Sequence, residues 1–379
     1  MTAETVLSNA RIVLANEIVE GSLVLRDGFI ADIDAGGSRS GEDMGGDYVI
    51  PGLVELHTDH LEGHYAPRPK VRWNPIAAVL AHDAQVATAG ITTVLDALRV
   101  GMDEDADLTL ADIRKLADAI EDSVAQDRLR ADHFLHLRCE VSAPDCLQAF
   151  ADFDRDDRVK LASLMDHAPG QRQFVNLETY AYYYQRKLKL TDRDFKLFCE
   201  KRMAESARYS APNRAVIAAA CRERGIVLAS HDDATSGHVD EAIEQGVRVA
   251  EFPTTEEAAR ASKAAGLGVL MGAPNVMRGA SHSGNVSARA LAGDGLLDIL
   301  SSDYIPFSLI QSAFFLGDMV EGISLPQAVA MVSKNPAEAV GLTDRGVIEQ
   351  GRRADLVRVR VDDHVPVVRT VWRQGRRVA

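Results

Sequence analysis

Pro51-Gly52-Leu53-Val54-Glu55-Leu56-His57-Thr58-Asp59 is a short apolar run that ends in two groups able to hold a metal ion. Side chains alternate between faces along a strand, so His57 and Asp59 leave the same face at the same end and can grip one ion together. Alone the tripeptide is weak evidence, because short motifs recur by chance and a strand running into a polar turn looks the same. Its weight comes from the rest of the chain.

Seven further β-branched, apolar runs follow, at 91-97, 133-141, 159-167, 226-232, 247-253, 267-273 and 297-303, separated by helical stretches. Several follow a glycine suited to ending a helix, as in Ala89-Gly90-Ile91, Arg224-Gly225-Ile226 and Ala265-Gly266-Leu267. Eight strand-then-helix units predict a parallel (β/α)8 TIM barrel over residues 51-339, with functional residues at the C-terminal ends of its strands. A doubly wound open sheet satisfies the same periodicity. Residues 5 to 31 and 346 to 378 are short Val/Ile/Leu segments broken by turns such as Arg26-Asp27-Gly28 and Arg373-Gln374-Gly375. They predict a small β-sandwich domain built from both termini, residues 1-50 and 340-379.

With 379 residues, 46% hydrophobic and 26% charged, the chain can bury a large core, and a barrel with one accessory domain fits better than three small domains. No apolar stretch spans a bilayer, and Met1-Thr2-Ala3-Glu4-Thr5 does not read as an export signal. Cys139, Cys146, Cys199 and Cys221 make neither a disulfide framework nor a Cys-x-x-Cys zinc pattern, so a cytoplasmic location is expected. The net charge of -14 repels nucleic acid and anionic membrane, which leaves a small molecule as the expected partner; a homo-oligomer is compatible with it. The acidic run Asp103-Glu104-Asp105-Ala106-Asp107 reads as a solvated loop or helix start.

The chemically capable residues fall at the strand ends. The first gives His57 and Asp59, and Leu135-His136-Leu137-Arg138-Cys139-Glu140 gives Glu140 with Arg138 on the same face. Ser163-Leu164-Met165-Asp166-His167, Ala229-Ser230-His231-Asp232-Asp233 and Ser301-Ser302-Asp303 close three more. Singly, each is more often a hydrogen-bonded core group. Together His57, His167 and His231 with Asp59, Glu140 and Asp303 suffice for two divalent ions. Three carboxylates against four positive charges leave a positive centre that lowers the pKa of water between the ions. Nitrogen with oxygen donors favours zinc, and manganese, iron or cobalt also fit, ahead of calcium.

At this point the chain resembles the amidohydrolase superfamily, metal-dependent hydrolases on a (β/α)8 barrel with a small β-domain from both termini. Residues 51-57 look like its first-strand signature, and Gly351-Arg352-Arg353-Ala354-Asp355-Leu356-Val357 like its return into the terminal domain. The superfamily often has His-x-His on the first strand, where this chain has Asp59. Closer still is the resemblance to the triphosphate diphosphatase family of the carbon-phosphorus lyase pathway. It covers nearly the whole chain, through Glu55-Leu56-His57-Thr58-Asp59, Pro67-Arg68-Pro69-Lys70-Val71, His136-Leu137-Arg138-Cys139-Glu140, Ala229-Ser230-His231-Asp232-Asp233-Ala234-Thr235 and Gly279-Ala280-Ser281-His282-Ser283-Gly284-Asn285, among others. The resemblance implies phosphonate metabolism: hydrolysis of α-D-ribose 1-methylphosphonate 5-triphosphate to the 5-phosphate, with release of pyrophosphate.

Such a substrate needs cationic contacts, and planar guanidinium groups suit phosphate oxygens. Arg68, Lys70 and Arg72 follow the first strand, Arg172 the fourth and Arg278 the seventh, and Arg138 faces the mouth. Solvated surface is the bland alternative for each, but their place in loops after barrel strands points to the pocket. Residues 272-285 form a small-residue loop with Asn275, Arg278, Ser281 and His282; it lacks Gly-Lys-Ser/Thr and so is no Walker A loop. His282 is expected to contact a phosphate or protonate the leaving oxygen, with a histidine that only structures the loop as the alternative. His82, His133, His136, His238 and His364 read as structural or surface residues, and no role falls to His60 or His64. Between the fourth and fifth strands, Thr191-Asp192-Arg193-Asp194 starts a capped helix after Tyr180, Tyr182, Tyr183 and Tyr184, an insertion expected to pack against the barrel or another subunit, with a lid over sugar and phosphates as the alternative.

The expected mechanism has His57 and Asp59 on one ion, His167 and His231 on the other, and Glu140 bridging. Asp303 takes the proton from water as it attacks the phosphorus nearest the ribose. Two alternatives differ in class: a carbon-nitrogen hydrolase of the same barrel, acting on a cyclic amide or N-acyl group, and a non-enzymatic assembly protein. Fold does not choose between them.

Overall fold

The computed structural model describes residues 4–36, 40–102, 108–172, 180–185, 188–281 and 284–379, leaving aside the side chains of Tyr182 and Tyr183. In chain order its strands begin with β1 (Glu4–Val13), β2 (Ile18–Arg26), β3 (Phe29–Ala35), β4 (Glu42–Asp43) and β5 (Tyr48–Pro51). The central set is β6 (Leu53–Thr58), β7 (Ile91–Val100), β8 (Asp132–Glu140), β9 (Val159–Met165), β10 (Val227–His231), β11 (Val249–Glu251), β12 (Gly268–Gly272) and β13 (Ile299–Ser301). β14 (Leu356–Asp362), β15 (Val365–Arg373) and β16 (Arg376–Arg377) complete it.

β6 to β13 pair in sequence order, every pairing parallel, so all eight expected runs are barrel strands. Parallel strands covered on both faces need continuous apolar sequence, and all six residues of β6 are buried. The ring closes where Thr58 bridges Asp303 and the Asp303 N–H donates to the His57 carbonyl at 3.1 Å. Val54, Leu95, Leu161, Ala229, Val249, Leu270 and Ile299 fill the interior, while Leu98, Leu135 and Leu137 pack outward against the helices.

The two chain ends share a second sheet, ordered β16-β15-β14-β5-β1-β2-β3 with β4 beside β1. Leu7, Ile12, Leu23, Ile30, Leu356 and Trp372 are buried in its core. Only Gly52 separates β5 from β6. A Cβ there would lie 2.2 Å from Thr92 Oγ1, and the Gly52 N–H donates to the Asp355 carbonyl at 2.8 Å, so the chain passes from one sheet to the other only where a side chain is missing.

Regular alternation through the end of β6 does not hold. Its register against β7 slips between Leu53 and Val54 and again between Glu55 and Thr58, and the strand stops at Thr58. Asp59 stands just before the short helix His60–Tyr65, with no side-chain capping bond to it, instead of continuing the strand. The expected insertion is a helix, Asp192–Arg224, whose Thr191 side chain accepts from the Asp194 N–H and whose Gly225 cap has φ 67°. Tyr180 and Tyr184 pack with Phe198 at its start. No helix among the described residues is long and apolar enough to cross a membrane.

Candidate metal centre

Glu251, the last residue of β11, organises the floor of the barrel mouth. One of its oxygens is 2.7 Å from His57 Nδ1 and the other 2.7 Å from His231 Nδ1, and the Ser163 hydroxyl donates to it at 2.8 Å. Burial opposes its charge, but His57 and the bond from His231 hold it well below the usual carboxylate range. A carboxylate only accepts, so each Nδ1 carries a proton and Nε2 is the nitrogen that Glu251 does not hold. The two rings stack with centroids 6.0 Å apart. Burial would lower His231, yet Asp232 and Glu251 outweigh it and raise its pKa.

His167 is held in the same manner. Its Nδ1 is 2.6 Å from Glu140 Oε2, and its N–H donates to Glu140 Oε1 at 3.1 Å. Ser142 donates to that Oε1 at 2.6 Å, while Arg99 and Arg202 stand 3.7 and 3.6 Å from the carboxylate. Against the cost of burial, His167, Arg99 and Arg202 keep Glu140 well below the usual range. Both Glu140 oxygens are thus engaged with side chains or backbone, one of them with the ring of His167, another of the expected ligands.

The freed nitrogens converge on Asp232. His231 Nε2 is 3.4 Å and His167 Nε2 is 3.8 Å from Asp232 Oδ2. That oxygen is buried with no hydrogen-bond partner among the described residues. The three groups offer ligand atoms within 4.8 Å of one another. Two imidazole nitrogens and a carboxylate oxygen, oriented from behind by Glu140 and Glu251, are a donor set that fits a zinc-like divalent ion, which would displace any proton from those nitrogens on binding. Asp232 sits at φ 57° and Asp303 at φ 55°, left-handed backbone uncommon for either residue.

Asp303 is partly buried beside Gly272, at the seam where the barrel closes. Beneath it, Glu55 accepts from the His57 and Ser302 N–H groups at 2.7 and 2.6 Å, and burial raises its pKa to about 8. Asp59 accepts from Arg138 at 3.2 Å at the rim. His136 donates from Nδ1 to the Leu56 carbonyl, and burial pushes it down to about 3, so it stays neutral.

The expected phosphate contacts divide. Arg138 is at the mouth. Arg68 and Arg278 are exposed, the latter at the end of the helix Ala273–Arg278. Arg172 is buried, its guanidinium paired with Asp233 and Glu241. Asn275 braces the following loop, donating to the Val286 carbonyl and accepting from the Ala288 N–H, both at 3.1 Å. Ser281 is partly buried. His282, Ser283 and the acidic run 103–107 lie outside the described residues. Sequence reading assigned no role to Glu251, Asp232, Ser163 or Glu55. The available signal was a lone acid inside an apolar strand, as Glu251 is in Val249-Ala250-Glu251-Phe252.

Comparison with known proteins agrees with this geometry. Residues 84–379 match the model of the Amidohydrolase family. The chain is 50% identical over 377 residues, 98% of its length and 100% of the relative's, to alpha-D-ribose 1-methylphosphonate 5-triphosphate diphosphatase of Escherichia coli (strain K12). It is 25% identical to imidazolonepropionase of Deinococcus deserti over 95% of this chain and 92% of that one. Among solved structures, N-acetyl-D-glucosamine-6-phosphate deacetylase of Mycobacterium smegmatis superposes with TM-score 0.65 at 17% identity, covering 99% of each chain. A barrel closed at Asp303, a terminal sheet drawn from both ends and imidazoles gathered at the strand ends accord with the family match: the chain belongs to the amidohydrolase family.

Proposed function

We propose that this chain hydrolyses α-D-ribose 1-methylphosphonate 5-triphosphate to the 5-phosphate and pyrophosphate. The observation that carries the chemistry is the convergence of His167 Nε2 and His231 Nε2 on the orphaned Asp232 oxygen, with both imidazoles oriented by buried carboxylates. The half identity to the E. coli diphosphatase over nearly the whole chain supports the substrate.

In this reading His57, His167 and His231 ligate through Nε2, joined by Asp232 and, at the rim, Asp59 and Asp303. When bound there, two divalent ions, zinc first among them, supply Lewis acidity and offset phosphate charge. Glu251 and Glu140 fix the imidazole tautomers. Asp303 faces the reacting phosphorus and accepts the proton of the attacking water. Arg138 contacts the phosphates, joined by Arg68, Arg278 and Ser281; the phosphate contact expected of His282 falls outside the described residues. Arg172 positions Asp233 beneath the mouth.

The test is phosphorus NMR of the reaction with zinc-loaded and chelator-stripped protein. Equal amounts of pyrophosphate and the ribose 5-phosphate, formed only by the loaded protein, are expected. Orthophosphate as the product, or equal rates without metal, rules the proposal out.

A further inference from the structure

Three more imidazoles meet on the helix side of the barrel wall, where the central chemistry makes no use of them. His60 and His64 stand one turn apart on the helix His60–Tyr65, and His82 projects from the helix Pro75–Thr88. Each offers a ring nitrogen within 4.8 Å of the other two. Their ring centroids are 4.9 Å apart for His60 and His64, and 6.2 Å from each of these to His82. Leu95 points into the barrel interior and Leu98 out to the helices, so alternation along β7 turns Asp96 outward to His82 and away from His57 and His231.

The proton positions follow from the partners. His82 is fully buried and its Nε2 lies 2.8 Å from Asp96 Oδ1. The other Asp96 oxygen lies 2.8 Å from His133 Nδ1, and His133 Nε2 faces Asp83 at 3.5 Å. Asp96, flanked by two imidazoles, accepts from both. His82 therefore carries its proton on Nε2 and keeps a lone pair on Nδ1, which is buried with no hydrogen-bond partner among the described residues. His60 Nδ1 is buried and unpartnered in the same way. His64 donates from Nε2 to Gln85 Oε1 at 3.1 Å, which leaves its Nδ1 available.

We propose that His60, His64 and His82 form a second metal site, separate from the central one, that takes a zinc-like divalent ion through three ring nitrogens and leaves its fourth position to water. Three imidazoles with one open position are an established zinc arrangement, and a carboxylate behind a ligating imidazole is its usual support. Asp96 provides that support for His82, and Gln85 orients His64. The ion would pin the helix His60–Tyr65 to the helix Pro75–Thr88 at the two ends of the segment 66–74, which carries Arg68.

The probe is zinc alone. Anomalous diffraction at the zinc edge from crystals of the unaltered protein grown with zinc chloride is expected to show density among the three histidines, apart from any in the barrel mouth. After gel filtration, His64→Ala should carry about one equivalent of zinc per chain fewer than the parent. His231→Ala, which alters only the central site, should keep the outer density. Absence of that density in zinc-grown parent crystals overturns the proposal, even if His64→Ala fails to fold. So does a folded His64→Ala with the parent's zinc content.

Discussion

Glu251 holds two imidazoles with one carboxylate, and its replacement separates orientation from ligation. In Glu251→Gln one oxygen becomes an amide that donates, so one Nδ1–H loses its acceptor and that ring its fixed tautomer. Such losses cost roughly 10- to 100-fold in metal affinity or activity. Competition with a chromophoric chelator measures it, and unchanged affinity would mean that the metal is held elsewhere. Asp303→Asn should behave differently, keeping much of the metal while kcat falls by roughly 100- to 10,000-fold, because the amide cannot accept the water proton. If the metal-loaded variant turns over like the parent, Asp303 is not the base. His57 and His231 were legible because an imidazole at the end of an apolar strand stands out in sequence. The sequence did not reveal Glu251, because β11 spans only three residues, Val249–Glu251, too few to expose the alternation that turns the acid inward. The contacts of Glu140 with His167, Ser142 and the two arginines come from the fold, and spacing along the chain carries no such information.

Helix ends with local signals were readable, as at Thr191 and Gly225. The helix Leu110–Ala125, not singled out in the sequence, starts with a capping box in which Thr109 and Asp112 satisfy each other's N–H groups. Asp112 also accepts from the Tyr65 hydroxyl at 2.9 Å, tying this helix to the one that carries His60 and His64. Burial opposes the Asp112 charge, yet the Thr109 N–H, the hydroxyls of Tyr65 and Thr109 and the Arg72 guanidinium bring its pKa down from 3.8 to about 2. A depressed carboxylate gives stability that is present above its unfolded pKa and lost as pH falls through the folded one. This contribution is therefore complete above pH 3.8 and fades towards about 2. Urea midpoints should fall more steeply over that window for the parent than for Asp112→Asn, and identical acid limbs would deny Asp112 this role. Thr109→Ala should cost about 1 kcal/mol at neutral pH. The end of β6 was less legible. Its two register slips arise from pairing with β7, a tertiary effect that local alternation cannot anticipate.

At the scale of the whole molecule the architecture was legible because it repeats: eight strand-helix units leave a regular spacing, and turn-rich ends stand out against it. The bonds that lock the parts together were not. Asp132, the first residue of β8, gathers Arg345 at 2.7 Å, Arg353 at 2.8 Å and Arg373 at 3.2 Å, which fastens the terminal sheet to the barrel. Arg172 resembled a phosphate contact by its position after the fourth strand, but burial beside Asp233 and Glu241 gives it internal partners. Burying a guanidinium without them would be too costly.

In the proposed reaction water attacks the phosphorus nearest the ribose, and hydrolysis in oxygen-18 water identifies the atom attacked. The label is expected in the ribose 5-phosphate, with unlabelled pyrophosphate released. Label in the pyrophosphate would mean attack on the next phosphorus and would contradict the proposed arrangement of His57, His167, His231, Asp232 and Asp303.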